Sequence, residues 1–140
     1  HFLFCLAMIA GVRIIPVLSK TPDDERGDVF EIFRGIDAKQ VTVYTRKQGV
    51  TFGCHFHTGD DPSKKPEYFF LISGTCRVFA ENMQKETIRE IVEAPAIIEF
   101  DSFVYHEMEA ITDVTFLEYR ATEFDPLHPD AYSKEEFDAL

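Results

Sequence analysis

Residues 49–57 read GVTFGCHFH and place two of the chain's five histidines, His55 and His57, two positions apart. On a β-strand residues i and i+2 point to the same face, so the two imidazoles project together. Further along, Glu67 opens the apolar run EYFFLIS, and His106 sits inside SFVYHEME beside Tyr105. Three imidazoles and one carboxylate make a mixed nitrogen and oxygen donor set suited to a divalent Zn, Fe, Ni or Mn ion. Imidazole serves several of these metals, so residue types do not choose among them. Taken alone, the His-x-His pair fits a surface or hydrogen-bonded role better than a ligand role. His128, between Leu127 and Pro129, reads as a solvated loop residue, and His1 is terminal. Cys54 and Cys76 read as buried structural thiols, with Cys54 on the strand face opposite His55.

The elements that must carry these side chains are short. β-rich runs recur at 12–18, 28–34, 40–46, 67–73, 75–81, 87–93, 96–100, 102–109 and 114–121, broken by TPDDERG, QG, TGDDPSKKP, SG and the Pro95 region. In QVTVYTR, Val41, Val43 and Thr45 share one face while Thr42, Tyr44 and Arg46 share the other, the period of two of a half-buried strand. About nine such runs without a long helical pattern predict an all-β sandwich or barrel. Ser133 with Glu136 three residues on predicts a capping box and a short C-terminal helix.

The length of 140 residues predicts one domain, 1–140, with enough apolar content (45%, including 14 Phe) to bury a core. A net charge of −11 argues against nucleic acid or an anionic membrane as partner, and an anionic small molecule would need a local basic pocket. Three cysteines in no paired spacing fit a reducing, cytoplasmic setting. Residues 1–11 are apolar but too short to span a bilayer; they read as an N-terminal extension or an added edge strand on a partner subunit.

The spacing Gly49-x5-His55-x-His57, then Glu67-x6-Gly74, resembles the first motif of the cupins, with a longer gap between His57 and Glu67 than that motif usually has. His106 falls where the second cupin motif places its histidine. The resemblance implies a cupin-type double-stranded β-helix, a jelly-roll barrel with a metal at His55, His57, Glu67 and His106. A longer likeness, over residues 23–132, links DERGDVFEIFR, QVTVYTRKQGVTFGCHFH, EYFFLISGTCRVF and EFDPLHPDAY to the C-terminal cupin domain of bifunctional capsular-polysaccharide enzymes that act on UDP-linked deoxy sugars. More distantly the chain resembles dTDP-4-dehydrorhamnose 3,5-epimerases.

What these likenesses imply is a sugar epimerase or isomerase of polysaccharide biosynthesis, a small-molecule substrate such as a nucleotide sugar, and a homodimer, with Phe2, Leu3, Phe4 and Leu6 as a candidate contact. His55 matches the histidine base of the rhamnose-pathway enzymes and a ligand of the capsular type, and it cannot serve as both. The ligand role leaves Tyr44, Tyr68 and Tyr105 as candidate proton donors, with Tyr44 and Tyr105 preferred. The chain departs from the pattern at Phe52, where these sugar enzymes carry a basic residue, and at Asp101, Phe103 and Ala110 in the second motif. Arg26, Arg46, Lys47 and Arg77 remain as anion contacts. Two other functions fit the same donor set: a metal-dependent dioxygenase, and a non-catalytic cupin that binds a small ligand.

Overall fold

A computed structural model describes residues 9–140. Among the described residues nine strands follow one another: β1 (Val12–Pro16), β2 (Gln40–Arg46), β3 (Thr51–His55), β4 (Glu67–Ser73), β5 (Thr75–Glu81), β6 (Thr87–Glu93), β7 (Ala96–Phe100), β8 (Tyr105–Ala110) and β9 (Val114–Arg120). They form a five-stranded sheet, β1-β7-β4-β9-β2, and a four-stranded sheet, β3-β8-β5-β6, with every ladder antiparallel. The fold is therefore the expected all-β jelly roll.

Alternation explains why these segments are strands. In β5 and β7 every second residue is buried, so Cys76, Val78 and Ala80 meet Ala96, Ile98 and Phe100 in one core between the sheets. The β4–β5 turn passes through Gly74, where φ is +93° and an added Cβ would lie 2.2 Å from the Asp113 carbonyl oxygen. That close approach is the physical content of the motif glycine. Helix α1 (Lys134–Asp138) is held by the expected capping box between Ser133 and Glu136. Its Phe137, fully buried, docks against Phe56 and Tyr105 in a second, smaller cluster.

Two expectations change. Residues 28–34 are not a strand; Phe33 instead packs on the rings of Tyr68 and Tyr119, on the outer side of the five-stranded sheet. Its apolar content covers a sheet face rather than joining a ladder. Cys54 is exposed, not buried, because the face of β3 opposite the imidazoles meets solvent. Cys76 is buried as expected. The N-terminal contact expected at Phe2, Leu3, Phe4 and Leu6 lies outside the described residues. No described helix is long and apolar enough to cross a membrane.

Candidate metal centre

A β-bulge sets up the centre. The β3–β8 register runs Thr51↔Glu109, Phe52↔Met108, Gly53↔Glu107 and then jumps to His55↔His106. Gly53 (φ +82°) and Cys54 (φ +55°) absorb the extra residue. A bulge shifts the in–out parity of the strand. Phe52 and His55 can then both face the cavity, and Cys54 turns outward. Gly53 also lies against His106: a Cβ there would sit 3.4 Å from the His106 carbonyl oxygen and 3.5 Å from its ring.

His57 follows two residues later, beside the Phe56↔Tyr132 bridge that ties the C-terminal segment to this end of the barrel. Glu67 begins β4 and His106 is the second residue of β8. One ligating atom from each of His55, His57, Glu67 and His106 lies within 4.8 Å of all the others. Three of the four side chains are almost sealed from solvent, and His55 is partly buried.

Hydrogen bonding fixes how the rings face. His57 Nδ1 pairs with the Asp130 carbonyl oxygen, and His106 Nδ1 with the Val104 carbonyl at 3.1 Å. A carbonyl only accepts, so both rings carry a proton on Nδ1, and in the neutral form each presents a bare Nε2 lone pair. His57 Nε2 lies 3.3 Å from Glu67 Oε2, and His106 Nε2 lies 3.3 Å from Glu67 Oε1. His57 Nε2, His106 Nε2 and Glu67 Oε1 are buried without a hydrogen-bond partner. With both rings neutral, these are three acceptors converging with no donor between them, an arrangement that a divalent cation relieves. Burial, followed by the neighbouring His106 and His57, pushes the His55 imidazole down to about 3, so it is neutral and ligand-competent at pH 7. The residues present fit a divalent metal.

A charged network backs the cluster. Lys64, on the 3-10 turn Pro62–Lys64, ion-pairs with Glu67 Oε2 and donates to Glu118 Oε2 at 3.1 Å. Burial raises the Glu67 carboxyl, but the His106 and His57 rings, when they carry a proton on Nε2, and the Lys64 ammonium outweigh it and hold the group well below the usual carboxylate range. Burial and then the Glu67 charge raise Glu118, with Lys64 opposing the shift. Glu118 Oε1 also accepts from the Tyr44 hydroxyl at 3.2 Å. These groups line a cavity of about 110 Å³ that reaches His55, Glu67 and His106, with Arg46 and Phe52 at its wall. The Arg46 guanidinium lies 5.5 Å from the centre of the Phe52 ring and 5.4 Å from that of Tyr44. A larger hollow of about 430 Å³, lined by Asp60, Asp61, Glu123, Asp125 and His128, includes none of the four clustered residues.

Of the residues picked from sequence, His55, His57, Glu67 and His106 come together and Tyr44 borders their cavity. Tyr105 does not. It lies on the other face of β8, donates to Glu107 Oε1 at 2.7 Å and packs against Phe137. Tyr68 lies against Phe33 and Tyr119, away from the cavity. His128 is solvated and pairs with Asp125. The sequence reading missed Lys64, Glu118 and Asp130.

The chain is similar in structure to the sugar 3,4-ketoisomerase QdtA from Thermoanaerobacterium thermosaccharolyticum, solved with TDP (TM-score 0.71, 19% identity, 93% of each chain covered). It is also similar to dTDP-4-dehydrorhamnose 3,5-epimerase from Sulfolobus tokodaii (TM-score 0.68, 16% identity, covering 90% of this chain and 79% of that one). At these identities the likeness is one of fold. The capsular polysaccharide assembling protein CapF from Staphylococcus aureus is 28% identical (TM-score 0.59) over 84% of this chain, which spans only 32% of CapF. No curated protein sequence matches the chain. Residues 22–132 match the polysaccharide biosynthesis C-terminal domain. The chain is a cupin-fold member of that family.

Proposed function

We propose that the protein is a metal-dependent sugar epimerase or isomerase that moves a proton on a carbon next to the carbonyl of a nucleotide-linked sugar. The observation that carries this reading is the convergence of three unpartnered acceptors, His57 Nε2, His106 Nε2 and Glu67 Oε1, at the inner end of a cavity in a polysaccharide-biosynthesis domain. His55, His57, Glu67 and His106 would hold the ion. A divalent cation bound there would stabilise negative charge developing on a carbonyl oxygen.

The chain's own groups supply the rest. Burial, then the Glu118 charge, pushes the Tyr44 hydroxyl up to about 12, so it is protonated at neutral pH and serves as proton donor. The hydroxyl donates to Glu118 Oε1, which holds the phenol at the cavity wall and gives it a carboxylate with which to exchange its proton. The neutral His55 sits between two other imidazoles, which favours the ligand role over that of a free base. Arg46 supplies a cation beside Phe52, the position where a basic residue was expected. The nucleotide-sugar assignment draws support from the relatives: QdtA is solved with TDP and, in a mutant form, with TDP-4-keto-6-deoxyglucose.

Incubation with TDP-4-keto-6-deoxyglucose in deuterated water tests the proposal. Mass spectrometry should show deuterium entering at a carbon beside the keto group, with the incorporation abolished by chelator. Tyr44→Phe should slow it by roughly 10²–10⁴-fold, the range of a lost general acid. Absence of exchange with this sugar and with its UDP-linked counterpart, in protein carrying stoichiometric metal, overturns the assignment.

A further inference from the structure

Glu67 meets the two sides of its environment with different oxygens. Oε2 is taken by the Lys64 ammonium and lies 3.3 Å from His57 Nε2, whereas Oε1 is buried with no partner and lies 3.3 Å from His106 Nε2. We propose that Lys64 is a positioning residue that restricts Glu67 to a single ligating oxygen, Oε1, and thereby keeps metal positions free for substrate. This rests on the metal reading above and adds to it which carboxylate oxygen binds and what enforces that choice.

The physical argument is competition between cations. A carboxylate can ligate through one oxygen or both, and an ammonium seated on Oε2 repels a divalent ion from that same atom. Lys64 must then stay in place, and several contacts hold it there. Its side chain is 13% exposed, and Glu118 Oε2 holds the far side of the ammonium. Its backbone belongs to a turn whose N-cap, Asp61, accepts from Ser63 N at 2.9 Å and from Arg120 Nη2 at 2.6 Å. Arg120 is itself buried, and Ser63 is tied to Thr122. Asp130 adds three backbone N–H contacts, from Thr58, Gly59 and Asp61. The segment between His57 and Glu67 thus forms an anchored arm that delivers one lysine to one carboxylate oxygen.

The test uses protein loaded with Co²⁺ and tropolone, a ligand that binds metals through two adjacent oxygens. X-ray absorption and crystal structures of the cobalt protein should show Glu67 bound through Oε1 alone in wild type. Lys64→Met should let both oxygens bind and weaken tropolone binding by about tenfold, in the range seen when a ligand loses its hydrogen-bonding partner. Because Lys64→Met removes the ammonium shared by two buried carboxylates, the double variant Lys64→Met/Glu118→Gln restores the net charge of the group and should show the same change. Glu118→Gln alone, with the lysine still on Oε2, should keep the wild-type cobalt spectrum. A wild-type protein with Glu67 bound through both oxygens, or a double variant matching wild type in spectrum and tropolone affinity, overturns the role of Lys64 and leaves the metal site standing. Failure of wild type to bind Co²⁺ at all overturns both.

Discussion

At the scale of single residues, His57 and His106 are defined by what they do with Nδ1. Each commits that nitrogen to a backbone carbonyl, which leaves Nε2 as the only atom able to ligate. Replacing His106 with Gln removes a donor that is fully buried and stacked on Phe100 at 4.1 Å. Zinc affinity, measured by competition with a chromophoric chelator, should fall by more than the roughly 10–100-fold that follows loss of an outer hydrogen-bonding partner. An affinity equal to wild type would show that His106 is not a ligand. The four clustered residues were legible because their types are rare and their spacing is specific. Lys64 was not, since in TGDDPSKKP it looks like one more solvated charge. Glu118 left a trace that went unread: Val114, Phe116, Glu118 and Arg120 alternate on one buried face of β9, and a carboxylate with a guanidinium on an apolar face needs partners.

At the scale of elements, the arm of residues 58–66 depends on a carboxylate far away in sequence. Asp130 accepts from Thr58 N and Oγ1, Gly59 N and Asp61 N, while its own carbonyl accepts from His57. Asp130→Ala should lower stability by about 3 kcal/mol in urea unfolding, the scale of several hydrogen bonds to one charged acceptor. Burial raises the Asp130 carboxyl, but the Thr58 and Asp61 backbone donors outweigh it and hold it below the ordinary 3.8. The unfolded chain therefore binds its proton first. The contribution is complete above pH 3.8 and is lost as pH falls through the lower native value. Asp130→Asn should accordingly lose less stability than wild type on acidification, and equal acid slopes would refute the assignment. Most strands were legible from period-two alternation. The bulge at Gly53–Cys54 was not, because it is a change of register against β8 and no local pattern announces it. Residues 28–34 are rich in β-forming residues, yet no neighbouring strand offers them a ladder.

At the scale of the molecule, the net charge of −11 sets a long-range field that repels a nucleotide diphosphate, while the proposed binding at the cavity would depend on local cations. Two cations line that cavity, and Lys64 is already shared between two carboxylates. Arg46 makes no ion pair among the described residues; its guanidinium donates to the Thr45 carbonyl and rests on two aromatic rings. The two scales separate kinetically. Approach samples the field of the whole chain, and salt screens it: the Debye length shrinks from about 30 Å at 0.01 M to about 10 Å at 0.1 M. The association rate for thymidine diphosphate, followed by stopped flow, should therefore rise with salt by up to about tenfold, opposite to the behaviour of a basic nucleotide binder. Dissociation reports the contact itself. Arg46→Gln should speed it and raise the dissociation constant by roughly 10–100-fold, the value of a hydrogen bond to a charged group, while the salt dependence of association persists. An association rate that falls with salt would mean that the local cations already dominate the approach. An unchanged dissociation rate in Arg46→Gln would place the diphosphate elsewhere on the protein.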